Sequence, residues 1–306
     1  MAESSIAVDI GATKTVVAVF RDQTMHEVAR FPTAGAPGDE VDLIISAVRD
    51  NDAASAAGAM GIGAPGPLDA GLGRILTPPN LPAWRNFPLA DRLQQILGIP
   101  VRLENDANLG ALGEAASGSG AGYRSMFYLT ISTGIGGGLI MDRRIFRGHQ
   151  GMAGEVFAVE PGHFFGEAGK GDLNELASGP GLVSRARRQL AAGETSSLAK
   201  IGPDFDAPQF LAAADSGDAM AVSLLESGRN AIAGLLMTIL YAVAPEAVVL
   251  AGGLCTESRW YVDPVRERVR RWTAIPELAA VPIERAKLWD KAVLYGAAEL
   301  VRQAEE

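Results

Sequence analysis

The sequence predicts an α/β fold of two related domains, each a mixed β-sheet flanked by helices, with a ligand cleft between them. Three observations carry this. Short apolar runs of strand character alternate with longer segments of helical spacing. The order strand, glycine turn, strand occurs twice, as VDIGATKTVVAV from Val8 and as YLTISTGIGGGLIM from Tyr128, and each copy is followed by more strands and then helices. The length of 306 residues suits about two domains.

Ser5 to Asp9 and Thr15 to Phe20 are predicted strands joined by GATK, with Val28 to Phe31 as a third. Residues 39–50 have helical spacing with an acidic start. Ala59 to Ala64 is a short buried strand ending in PGP, and residues 88–97 form a helix closed by Gly98. Val101 to Glu104 is a strand that runs into NDANLGALGEA, a helix of small residues. The pattern then restarts. Strands are expected at 125–132 and 138–142, at Ile145 and Phe146, and at Glu155 to Val159. Helices follow at 178–191 and 208–215, and a long one at 218–244 is stopped by Pro245. Ala247 to Ala251 is a buried strand ending in Gly252-Gly253, and 262–272 and 290–302 are the last helices.

Composition narrows the function. The chain is 48% hydrophobic and 21% charged, ordinary for a globular protein with a sizeable core. A net charge of −9 disfavours a nucleic-acid surface, which needs clustered Lys and Arg. Arg185, Arg187 and Arg188, and Arg266, Arg268, Arg270 and Arg271, read as solvated helix faces. Cys255 is the one cysteine, so neither an internal disulfide nor a thiolate zinc site can be built, which suits the cytoplasm. MAESSIAVDIGATK lacks the basic and apolar regions of a signal peptide, and the longest apolar run, 231–244, is too short and mixed to span a bilayer. No membrane association is expected.

Chemistry gathers in a few short stretches. In DIGATKT, Asp9 ends a strand, Gly11 and Ala12 make the turn, and Thr13, Lys14 and Thr15 supply hydroxyls and a cation. A carboxylate beside a phosphate-sized loop makes sense if Mg²⁺ bridges the two. On its own the stretch fits a surface hairpin turn equally well. STGIGGG is also weak alone, but two such turns, each after the first strand of its own domain, can grip one polyphosphate from both sides. Neither is a Walker loop or a dinucleotide fingerprint. GIGAPGPLD presents the backbone around Gly66 at a rigid corner, or is an ordinary strand-ending turn. TPPNLPAW places Asn80 in a proline-stiffened loop, where it suits a sugar hydroxyl. In LENDANLGALGE, Asn105 and Asp106 sit where a strand becomes a helix. Asp106 reads first as that helix's cap, and alternatively as the acceptor of a proton from an attacking hydroxyl.

Together, DIGATKT, GAPGPLD, LENDANLGALGE, STGIGGGLI, GMAGE, LASGP and VVLAGG, in that order, resemble the ROK family of bacterial sugar kinases and sugar-responsive repressors. The resemblance implies two actin-like (ribonuclease H-like) domains, with ATP, Mg²⁺ and sugar in the cleft. It implies an N-terminal domain of 1–112 plus 291–306, a C-terminal domain of 113–290, a last helix packed on the N-terminal domain, and a homodimer. It assigns Asp9, Gly11, Thr13 and Lys14 to the first phosphate loop, with Asp9 on Mg²⁺ directly or through water. Thr133 and Gly134 fall in the second loop, and Gly252 and Gly253 near the nucleoside. Asn105, Asp106 and Glu155 fall to the sugar, with Asp106 as general base. The family's repressors carry an extra N-terminal helix-turn-helix domain, whereas this chain enters its first strand within about five residues.

Two departures bear on the substrate. The family follows AGE with any residue, Gly and His, but here Glu155 is followed by Val156, Phe157 and Ala158. An alternative placement uses Glu160-Pro161-Gly162-His163, though His163 reads better as a surface-loop residue. The family's three-cysteine zinc motif ends Cys-Leu-Glu, whereas the matching stretch here ends Asp172-Leu173-Asn174, with Glu175 next. No zinc is therefore expected, and Glu175 or Asn174 stands in for the family's carboxylate. An altered set of polar partners predicts a sugar other than plain glucose, or a glucose site rebuilt around Glu175. Glu155, Glu160 and Glu175 together suggest an amino sugar, as in kanosamine kinases.

Overall fold

The computed structural model describes residues 4–21, 23–78, 81–161 and 171–305. The chain divides into two compact units. The first comprises Met1–Gly122, Gly138–Ala153 and Leu288–Glu306, and the second Tyr123–Gly137 and Gly154–Lys287. The expected boundary at 112/113 falls inside a continuous helix, Asp106–Ser117.

In the first unit, β1 (Ser4–Ile10), β2 (Lys14–Arg21), β3 (Thr24–Pro32), β4 (Met60–Ala64) and β7 (Val101–Asn105) form one sheet in the order β3-β2-β1-β4-β7. A small ribbon, β5 (Leu68–Asp69) and β6 (Arg74–Ile75), lies between β4 and β7 in the chain. β1 to β3 are antiparallel neighbours, while β1, β4 and β7 run parallel. Buried on both faces, β4 and the Ile6–Val8 centre of β1 are continuous apolar runs rather than alternating ones. Helix α1 (Pro37–Arg49) starts at a proline and buries Val41, Ile44, Ile45 and Val48, the spacing of one helical face. Beyond the short α2 (Asp52–Ser55), α3 (Leu89–Leu97) ends at Gly98, whose φ of +72° a side chain would resist. α4 (Asp106–Ser117) and the terminal helix Ala292–Glu305 pack so closely that a methyl at Gly113 would run into the Ala292 carbonyl, and one at Gly296 into that of Leu109. The same helix presses on β4, where a methyl at Gly61 would meet Ala297.

In the second unit, β8 (Met126–Ile131) pairs in parallel with β11 (Ala247–Ala251), and β11 with β12 (Ile283–Arg285). The full sheet order is β10-β9-β8-β11-β12, with β9 at Ile135–Met141 and β10 at Arg144–Ile145; β10 and the part of β9 from Gly138 onward are counted in the first unit. Helices Leu173–Ala177, Gly179–Ala191, Ala207–Asp215, Ala219–Val243 and Val262–Trp272 follow β10. The longest is capped by Asp218 and ends at Ala244, at φ +49°, just before Pro245. No described helix is long and apolar enough to cross a membrane.

Three expectations change. Residues 155–159 are not a strand. Val156 N–H turns back 2.7 Å to the Gly154 carbonyl, and the carbonyls of Phe157 and Val159 accept from Asn174 and Leu173 at the start of the 173–177 helix. The second glycine turn is shorter than STGIGGG, because β9 begins at Ile135 and contains Gly136, Gly137 and Gly138. Gly137 and Gly138 answer to packing: a methyl would come within 2.6 Å of the Gly154 carbonyl and 2.7 Å of Ala111 Cβ, respectively. Several arginines expected on solvated faces hold structure together. Arg187 donates to the Phe205 carbonyl, Arg266 to that of Ile283, and Arg268 to Asn230 and Glu226.

Candidate active site

The ends of β1, β4 and β7 carry three of the singled-out motifs. Register places Asp9 opposite Gly63, and Ala64 opposite Asn105. DIGATK, GAPGP and NDAN therefore leave adjacent parallel strands on the same edge. That edge, beyond the carboxyl ends of parallel strands, is where open α/β sheets bind ligands.

Asp9 is the electrostatic centre of this edge. Burial, with the negative charges of Asp106 and Asp290, pushes its carboxyl up to about 7, against the pull of Lys14 and Arg30. The charges of Asp106 and Asp290 reach Asp9, so negative charge gathers at this edge. The donors are all oxygen, which fits Mg²⁺ completed by waters and phosphate oxygens. Among the described residues no three His, Cys, Asp or Glu side chains form a metal site by themselves, so Asp9 would hold Mg²⁺ jointly with a phosphate. Ala12 and Thr13 are exposed in the turn between β1 and β2, and Lys14 is exposed at the start of β2.

A buried polar network braces that turn from behind. Gly11 N–H donates to the Lys14 carbonyl at 2.9 Å, closing the hairpin. Thr33 Oγ1 donates to the Gly11 carbonyl at 2.8 Å and lies 3.1 Å from Thr15 Oγ1. Thr15 Oγ1 is hydrogen-bonded to Glu40 Oε1, and Ala34 N–H donates to Glu40 Oε2 at 2.6 Å. Thr15 and Glu40 are fully buried.

At the end of β7 the helix cap is Asn105, not Asp106. Asn105 Oδ1 accepts from the N–H groups of Ala107 at 2.9 Å and Asn108 at 3.2 Å. Asp106 is the first helical residue, half-buried, with Oδ1 2.8 Å from Ala107 N. Gly66 lies beside Asn105, since a methyl there would sit 3.2 Å from Asn105 Nδ2. Behind the pair, buried Glu104 accepts from Asn105 N–H and Asn108 Nδ2 through Oε1, and from Arg147 Nε at 2.7 Å through Oε2.

In the second unit, Thr133 is exposed in the turn Ser132–Gly134. Ser132 N–H donates to the Gly134 carbonyl at 2.9 Å, and the Ser132 carbonyl accepts from Gly179 N–H at 3.0 Å. Asn174 Oδ1 accepts from Ile135 N–H at 2.7 Å, so Asn174 clamps this turn. Glu175 pairs with Arg188. Glu155 is exposed, and desolvation on its protein side pushes its carboxyl up. Gly252 adopts φ +89° with its α-carbon against the Ile131 backbone, so only glycine fits; Gly253 follows, exposed. Asn80 and His163 lie outside the described residues.

Sequence reasoning missed Glu40, Thr33, Glu104, Arg147 and Asp290. Glu40 left a signal: it sits four residues before Ile44 and eight before Val48, on the apolar face of α1. Glu104 left one too, as a charge inside a buried strand. Arg147 left none.

Two α/β units, a glycine turn after the first strand of each sheet, and carboxylates at the ends of β1 and β7 define a protein of the actin-like ATPase fold. The chain belongs to the ROK family, whose sequence profile matches residues 5–304. It is 34% identical to a glucokinase of Streptomyces coelicolor, covering 98% of each chain. Among solved structures it is similar to a ROK hexokinase from Thermus thermophilus, with a TM-score of 0.82 and 30% identity over 99% of this chain and 100% of the other. It is also similar to a ROK family glucokinase from Streptomyces griseus in complex with glucose and AMPPNP, with a TM-score of 0.77 and 32% identity over 98% and 99%.

Proposed function

We propose that this ROK protein transfers the γ-phosphoryl group of ATP to a hydroxyl of a hexose or amino-hexose, the 6-hydroxyl, with Asp106 as general base. The observation that carries this reading is the placement of Asp106 at the first position of α4, beside the Asn105 cap and within the field of Asp9. The full-length likeness to glucokinases supports the reaction class.

Mg²⁺, when bound, neutralises charge on the β- and γ-phosphates. Asp9 would hold it, directly or through water. Thr13, Lys14 and the turn's N–H groups bind phosphate oxygens, as do Thr133 and Gly134 in the second unit, while Gly252 and Gly253 serve the nucleoside. Gly66, Asn105 and Glu155 orient the sugar, joined by Asn80. The sugar oxygen attacks the γ-phosphorus, the bond to the β–γ bridging oxygen breaks, ADP departs, and the hydroxyl proton passes to Asp106. The ion pair of Glu175 with Arg188 cancels one of the three charges expected to select an amino sugar. That favours a neutral hexose.

The test is ADP release with Mg²⁺-ATP across glucose, mannose, fructose, glucosamine, N-acetylated amino sugars and kanosamine. Release with one or two sugars, lost in a folded Asp106→Ala variant, supports the reading. Silence across the panel, with sugar binding retained by calorimetry, would instead make the protein a sensor.

A further inference from the structure

The network behind the β1–β2 turn contains more hydrogen-bonding contacts than it has hydroxyl hydrogens. Three oxygen–oxygen contacts run in series, from Glu40 Oε1 to Thr15 Oγ1, on to Thr33 Oγ1 at 3.1 Å, and on to the Gly11 carbonyl at 2.8 Å. The two threonines bring one hydrogen each. If Glu40 is ionised, Thr15 must donate to the carboxylate and Thr33 to the carbonyl. The middle contact then sets two lone pairs against each other, between buried Thr15 and half-buried Thr33, at a cost. If Glu40 carries a proton, all three contacts are satisfied in one direction.

We propose that Glu40 is a positioning residue for the phosphate turn: as the neutral acid it heads an ordered chain, Glu40 to Thr15 to Thr33 to the Gly11 carbonyl, which aims the Ala12 N–H at the nucleotide. The last link follows from peptide geometry. C=O and N–H point in opposite directions across a planar trans peptide, so a Gly11 carbonyl held inward by Thr33 turns the Ala12 N–H outward. Ala12 is exposed there. The second carboxyl oxygen accepts from Ala34 N–H at 2.6 Å, which a neutral acid also allows. Burial raises the Glu40 carboxyl, opposed by the Thr15 and Ala34 hydrogen bonds, and no charged side chain of the described residues acts on it. The role of the turn rests on the proposed kinase reading; the protonation of Glu40 does not.

Glu40→Gln preserves the pattern, because its amide donates to Thr15 and its carbonyl accepts from Ala34. Its KM for ATP should stay within about twofold of the parent. Thr33→Val breaks the chain at its last link and should raise the KM for ATP roughly three- to tenfold, the range of one lost hydrogen bond, with the KM for sugar unchanged. Thr15→Val should do likewise and Thr15→Ser should not. In an infrared difference spectrum at neutral pH, parent minus Glu40→Gln, the carbonyl stretch of a protonated carboxylic acid should appear. Absence of that band, or a Thr33→Val variant that unfolds more easily while its KM for ATP stays put, would overturn the proposal. Should Glu40→Gln not fold, the neutral-acid assignment is overturned directly, since the amide satisfies the same partners, and the two Thr15 variants still report on the turn. Failure to turn over ATP with any sugar would sink the kinase reading and leave the infrared result standing.

Discussion

Arg147 Nε–H donates to the buried carboxylate of Glu104 across 2.7 Å, and the residue after Glu104 is the Asn105 that caps α4. The Glu104 side chain is 2% exposed and that of Arg147 45%, so the pair is dry on one side and wet on the other. Arg147→Met removes a charge-assisted bond while leaving the carboxylate buried. The expected loss is about 1.5–3 kcal/mol, near the lower end because water reaches the arginine. Urea unfolding measures it, and sugar KM should rise as Asn105 loosens.

Asp106→Asn keeps the size and position of the proposed base and removes its ability to take a proton. Turnover should fall by about 10²–10⁴-fold or more, with the KM for ATP little changed. Single-turnover kinetics on a variant with the parent's circular dichroism spectrum would check it. Normal turnover would remove Asp106 from the chemistry.

Asp218 and Glu40 pull stability in opposite directions with pH. Desolvation alone would raise Asp218, but bonds from Ala221 and Ser197 N–H and from the Ser197 and Ser196 hydroxyls outweigh it and bring it to about 2, below the ordinary 3.8. Its contribution is fully present above pH 3.8 and is lost as pH falls towards 2. Glu40 is raised above 4.5, so its contribution is greatest below 4.5 and is lost as pH rises through its folded value. Asp218→Ala should cost about 0.5–2 kcal/mol at neutral pH, and less under acid. Glu40→Gln should gain on the parent as pH rises from 4.5. Thermal melts of both variants across pH give the two slopes.

Gly113→Ala should destabilise by about 1–3 kcal/mol or more, because the new methyl meets the fixed backbone of Ala292. Gly98→Ala has open space around it and strain only from φ +72°, and should cost about 1 kcal/mol. Chemical denaturation of the two variants separates packing from backbone strain.

The strands and long helices were legible because apolar periodicity is local: Val8, Ile62 and Val249 each sit in runs that only a buried strand accounts for. The segment 155–159 misled because Val156 to Val159 form a continuous apolar run like that of a buried strand, while Gly154 at φ +90° and the start of the 173–177 helix take up its backbone bonds. The family motifs led to DIGATK and NDAN, whose neighbours on the sheet edge are set by strand register. The partners behind them come from afar. Thr33 and Glu40 reach Gly11 and Thr15 across 22 and 25 residues, and Arg147 reaches Glu104 across 43. No local pattern announces such a pairing. The Asn105 cap was missed because Asn and Asp cap equally well, and the choice rests on where the backbone turns helical.

Vectorial synthesis follows a different order from the sheet. Gly61 and Gly113 leave the ribosome early, bare of side chains, and the helix that covers them, Ala292–Glu305, is made only after residues 123–287. Until it docks, a groove cut to the width of a peptide backbone stays open on the nascent first unit. Residues 123–137 and 154–287 emerge while that groove waits. The first unit therefore completes its packing only after the second has emerged, and its half-built surface is exposed in the interval.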